Sequence, residues 1–230
     1  MSDIEILKGL VMQRRTFIAA ATAAATLAAT GVRAQSAYPA KPIKFVIPFT
    51  AGSSTDIMGR TIAERMAASM GQPVIIENRP GAGGTIAAAA VAKSDPDGYT
   101  VLVHSGSHAV NPAIYTNLQY DTLKDFTNVG GLGAVPNIII APQGRYKTLK
   151  DLVAAAKAKP NQLNFASAGI GSATHLNAEK FMLVADIDLQ HVPFKGTPEA
   201  VTEIVGGRLE FYCAPINAAS LGASTGRSAI

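Results

Sequence analysis

The chain carries few of the side chains from which catalytic or metal sites are usually built. It has one cysteine, Cys213, no tryptophan, four histidines and an aromatic content of only 6%. A lone thiol cannot close an internal disulfide, and without a second cysteine it cannot found a thiolate metal site. Cys213 is therefore expected to be a small buried apolar side chain. His108, His175 and His191 are dispersed along the sequence, and a helix-borne histidine such as His175 is more often a local hydrogen-bonding group than a metal ligand. No cofactor and no metal are implied. Charged residues make up only 16% of the 230, and the formal net charge is +4. The lysines and arginines are scattered, with no aromatic residues interleaved, which argues against nucleic acid as a partner. In place of these features there is a 48% hydrophobic content carried by Ala, Val, Ile and Leu. That describes a soluble core, and the length allows one large domain or two modest ones, two being the expectation.

The amino terminus predicts export. Arg14 and Arg15 precede an apolar run from Thr16 to Ala29 that ends near Val32-Arg33-Ala34. A basic start, a short apolar stretch and small residues at a cut site are the plan of a cleaved signal peptide over residues 1–34. The run is about 14 residues, whereas crossing a bilayer takes roughly 20. Gln13-Arg14-Arg15-Thr16-Phe17-Ile18 is similar to a twin-arginine signal, although paired arginines also occur in Sec signals, so both routes stay open. The acidic groups before Val11 suggest Met12 as the true initiator. Cleavage after Ala34 would remove Lys8, Arg14, Arg15 and Arg33 with Asp3 and Glu5, leaving a net charge of +2. The mature protein is expected in the periplasm.

Beyond the leader the pattern alternates. Ile43 to Phe49 is β-rich and runs into the loop and helix-cap types Thr50 to Asp56, and a helical spacing follows from Ile57 to Gly71. Val74 to Glu77 predicts a strand, Asn78 to Gly84 a turn, Ile86 to Ala92 a helix capped by Thr85, and Tyr99 to Val103 a third strand. A second set follows: a strand over Asn137 to Ala141, a helix over Leu149 to Ala158 capped by Thr148, and a strand over Leu163 to Ser167. It continues with a helix over about Thr174 to Leu183, a strand over Asp188 to Pro193, a helix over Pro198 to Val205 and a strand over Leu209 to Tyr212. Such alternation predicts an α/β fold with mostly parallel sheets. Two lobes are expected, over residues 35–130 and 131–230, with the glycine-bearing segment Tyr120 to Gly133 as the crossing.

Several blocks are more specific. Tyr38-Pro39-Ala40-Lys41-Pro42-Ile43, the loop from Pro48-Phe49 to Thr55-Asp56, Glu77 to Gly84 and Asp95-Pro96-Asp97-Gly98-Tyr99-Thr100 come first. Asn111-Pro112, Asp121 to Phe126, Phe165 to Gly169, His175-Leu176 and His191 to Gly196 follow in order. Together they resemble the Bug family, the extracytoplasmic solute receptors of tripartite tricarboxylate transporters. The resemblance implies a two-lobe, type II Venus-flytrap periplasmic binding protein that is monomeric and catalyses nothing. It also implies a small carboxylate held between the lobes and delivered to membrane permease subunits. Two departures bear on this. Gly52-Ser53 stands where the family usually has two glycines, which stiffens the loop and adds a hydroxyl. The sequence after Cys213 soon loses the resemblance and reads as a truncated end, so both lobes are expected to lack C-terminal elements.

A carboxylate can be held without arginine when backbone N–H groups at a helix start converge on it, since the free donors and the helix dipole both favour negative charge. Glycine allows close approach and hydroxyls add donors. On that logic, strengthened by the resemblance, the candidate ligand residues are Phe49, Gly52, Ser53, Ser54, Thr55 and Asp56 in the first lobe, with Ser105, Ser107 and His108 after the third strand. Gly169, Gly171, Ser172, Thr174 and Lys195 are the candidates in the second. The plainer account makes Ser54, Thr55 and Asp56 ordinary N-caps and Lys195 a solvated surface cation. Gly81 and Gly83 lack the third glycine of a dinucleotide cradle, Ile86 standing there, so a structural turn is expected. Two other functions stay in view: a ligand-sensing receptor subunit, and a periplasmic hydrolase using Ser53 or Ser54 with His108 or His175. The hydrolase lacks a G-x-S-x-G elbow.

Overall fold

Four of the five residues in Ile43–Ile47 are buried, and this segment forms β1. It lies between β2 (Val74–Asn78) and β3 (Thr100–Leu102) and runs parallel to both, in the order β2-β1-β3. A central parallel strand has neighbours on both edges and helices packed on it, which is why its sequence is a nearly continuous apolar run. A computed structural model describes residues 38–223. The expected signal peptide and the chain end after residue 223 lie outside the described residues.

Helix α1 (Ser54–Met70) follows β1 and ends at Gly71, whose left-handed φ of 67° lets its N–H bond back to the carbonyl of Ala67. A short 3-10 turn, Ala82–Gly84, leads into α2 (Thr85–Ala92). Helix α3 (Ser107–Ile114) follows β3 and was not foreseen, because Pro112 inside it argues against a helix in the sequence.

The second sheet has β4 (Asn137–Ile140), β5 (Asn164–Ser167), β6 (Gln190–Pro193) and β7 (Phe211–Pro215) in the order β4-β7-β5-β6. Its helices are α4 (Leu149–Ala158), α5 (Ala173–Ala185), α6 (Thr197–Val205) and α7 (Ile216–Ala223). Thr148 and Asp151 close a reciprocal capping box on α4, as the cap reading of Thr148 anticipates. Strand β4 departs from the expected pattern, running antiparallel to β7. Strand β7 is buried throughout, and its side chains alternate between two cores. Phe211 and Cys213 join Leu152, Phe165 and Met182 on one face. Tyr212 and Ala214 join Ile140, Ala200 and Ile204 on the other. The segment between α3 and β4 holds no regular element.

The two sheets, each with its own helices, make two α/β lobes. Among the described residues no helix is long and apolar enough to cross a membrane.

Candidate ligand-binding cleft

In α/β sheets, groups that bind ligands collect at the carboxyl ends of parallel strands, where loops lead into helix starts. Here the two lobes present those edges to each other. From the first lobe come the loops after β1, β2 and β3, and from the second the loops after β5 and β6. They touch at two places. At one, the Thr197 N–H donates to Ser53 Oγ at 3.1 Å, Thr50 Oγ1 donates to Glu199 Oε2 at 3.0 Å, and the Thr50 N–H reaches the Lys195 carbonyl at 3.4 Å. At the other, the Tyr115 hydroxyl donates to the Ile170 carbonyl at 2.8 Å. Glycines line both contacts. A Cβ on Gly83 would run into the Ile170 carbonyl oxygen, and one on Gly196 into the hydroxyls of Thr50 and Ser53.

The two expected helix starts are thus offset by one loop. The start of α1 meets the start of α6, while the Gly169 to Ser172 loop meets Gly83, Asn111, Ile114 and Tyr115. Adjacency of β5 and β6 in the second sheet keeps both pairs on one cleft.

Individual residues divide into framework and donors. Ser53 is buried and is the N-cap residue of α1, yet its side chain makes no cap bond because its oxygen accepts from the other lobe. Asp56 is 2% exposed, and its carboxylate is consumed locally by the Gly52 N–H, Arg60 Nε and Asn78 Nδ2. Burial pulls its pKa up, but the hydrogen bonds from Arg60, Gly52 and Asn78 outweigh that and hold it below the ordinary aspartate value. Neither Asp56 nor the Gly52 amide is open to an anion. The amides of Gly169 and Gly171 are likewise engaged, by Ser167 Oγ and His175 Nδ1. Thr174 accepts from the Ala168 N–H, and Ser172 caps α5 by accepting from the His175 N–H. A tight loop must satisfy its own buried amides first, so the donors left for a ligand are first-turn N–H groups such as those of Ser54, Thr55, Ala173 and Thr174. The Thr55 hydroxyl, at the start of α1, is buried without a hydrogen-bond partner among the described residues.

The remaining candidates lie behind this front. Phe49 is buried and stacks edge-on with His104. Ser105 and Ser107 bond to each other at 2.7 Å. The His108 ring packs between His104, Tyr120 and Phe126. The Lys195 side chain is exposed. Sequence reasoning did not single out Thr50, Tyr115, Gly196, Thr197 or Glu199 as individuals, since their contacts span up to 149 positions. Runs of Gly, Ser and Thr after each strand were the one available signal.

The imidazoles do not charge the cleft. Burial and the neighbouring His108 push His104 down to about 3, and burial with His175 beside it pushes His191 down to about 4. Anion attraction must come from helix starts and amides. Among the described residues no cluster of three or more His, Cys, Asp or Glu could hold a metal ion. An open hollow of about 500 Å3 beside Arg145, Gly206 and Gly207 lies at the opposite edge of the second sheet.

The sequence profile of the tripartite tricarboxylate transporter family receptor matches residues 58–227. The chain belongs to that receptor family. BugT from Bordetella pertussis is 39% identical to this receptor over 194 residues, covering 83% of the chain. A protein of R. palustris solved with adipate is 32% identical, with a TM-score of 0.79 over 83% of this chain and 64% of that one. MatC from Rhodopseudomonas palustris, solved with bound malate, is 35% identical, with a TM-score of 0.77 over 84% of this chain and 66% of its own. The receptor chain spans 58 to 59% of the length of the first curated relatives it matches.

Proposed function

We propose that this receptor is an exported periplasmic protein that captures a small carboxylate between its lobes and presents it to the permease subunits of a tripartite tricarboxylate transporter. The observation that carries the reading is the meeting of two strand-end edges, each furnished with helix starts and hydroxyls. Amides at helix starts bind carboxylates through converging donors and the helix dipole, with no need for a buried arginine. Cross-lobe contacts fit a cleft that closes on its ligand. The adipate and malate in two related structures support a carboxylate as the ligand class. Among the described residues Ser53 Oγ accepts from the Thr197 amide and bonds no imidazole, while Ser167, whose hydroxyl does pair with His191, is fully buried at the end of β5.

Thermal-shift screening of the folded protein against organic acids, amino acids and aromatic carboxylates tests this. A concentration-dependent rise in melting temperature is expected, since a ligand that binds only the native state stabilises it. A flat response across the panel overturns the reading.

A further inference from the structure

Glu199 sits in the first turn of α6, half-buried, at the seam between the lobes. Its carboxylate accepts a hydrogen bond from the Thr50 hydroxyl at 3.0 Å, across the cleft. Among the described residues no lysine, arginine or histidine pairs with it. The surroundings explain how it is tolerated: the start of α6 favours a negative group, and Thr50 supplies a donor. The Thr197 amide, two residues earlier, is already bound to Ser53. One end of the cleft, where the loop after β1 meets α6, therefore already holds a carboxylate belonging to the protein. Closure is tight there, because Gly196 leaves no room for even a methyl group beside Thr50.

We propose that Glu199 determines specificity by standing where a second ligand carboxylate would bind. The inference rests on the carboxylate-binding reading above. A ligand can place one carboxylate against the free first-turn amides of α5, but a second anionic group directed toward Thr50 meets the like charge of Glu199 at close range. Juxtaposed like charges in a partly desolvated interface are strongly unfavourable and are a standard means of rejecting the wrong partner. The receptor thus prefers acids whose far end is uncharged or carries a donor over dicarboxylates of equal length.

Hexanoate and adipate share a six-carbon chain and differ in the second carboxylate, so calorimetric titration with both isolates the effect. The unmodified protein is expected to bind hexanoate more tightly than adipate. Glu199→Gln keeps the shape and removes the charge, and is expected to shift the ratio of the two dissociation constants toward adipate by about tenfold or more. Glu199→Ser serves if the first variant does not melt cooperatively. Thr50→Val breaks the hydrogen bond but keeps the charge, and should leave the preference for hexanoate in place. An unchanged ratio in the Glu199 variants overturns the inference, as does an equal shift in Thr50→Val, which would assign the effect to the cross-lobe bond. If neither acid binds any of the folded proteins, the carboxylate reading of the cleft fails and takes this inference with it.

Discussion

The hydroxyl of Tyr115 and the carbonyl of Ile170 meet at 2.8 Å although 55 positions separate them, and Gly83 lies against the same carbonyl. A side chain on Gly83 would strike backbone, which cannot rotate away, and its φ of +59° already favours glycine.

Gly83→Ala is therefore expected to hold the lobes apart at this end. Ligand affinity should fall by about tenfold or more, while the second lobe's core, remote from the change, keeps its packing. Small-angle scattering with and without ligand, beside calorimetry, checks this. An unaltered affinity with an unaltered compaction would show that the two surfaces do not need to touch.

Asp56 is a framework residue rather than a ligand contact. Asp56→Asn leaves Arg60 without its carboxylate and turns an acceptor toward donors into an amide, at an expected cost of about 1–3 kcal/mol in stability. Because the folded pKa is lowered, the stabilising contribution is present above the unfolded aspartate value and is lost as pH falls through the folded one. Denaturant unfolding at neutral pH and near pH 3 should show the gap between the parent and the variant narrowing in acid.

His104 and His191 predict a second acid sensitivity at higher pH. Their folded values of about 3 and about 4 lie below the ordinary value of 6.5, so the unfolded chain takes up protons that the folded chain refuses. Stability is complete above 6.5 and declines as pH drops toward 4. Melting temperature measured across that interval should fall, and His104→Gln, which does not titrate, should fall less steeply.

Cys213 is buried, and burial pushes its thiol up to about 12. Thiolate, the reactive form, is scarce at neutral pH. Maleimide should label the native protein only at the rate at which it unfolds, and label it promptly in denaturant. Rapid native labelling would place the side chain elsewhere than the core it shares with Phe211.

Much of the fold was legible because it depends on local periodicity. The cap of Thr148 on α4 and the glycine stop of α1 are written within a few residues and formed as expected. The helix Ser107–Ile114 was not legible, because Pro112 inside it masks it. The antiparallel entry of β4 beside β7 likewise depends on a pairing across some 75 positions that no local pattern encodes.

Composition and short-range order determined that this protein is α/β and that glycine and hydroxyl residues follow its strands. Which of those residues are available to a ligand was decided only in three dimensions. Gly52, Gly169 and Gly171 looked like donors and are spent on Asp56, Ser167 and His175, while Glu199 looked like an ordinary helix residue and reaches across to Thr50. The reason is that a hydrogen bond depends on where two groups end up in space, and a sequence fixes that only for neighbours along the chain.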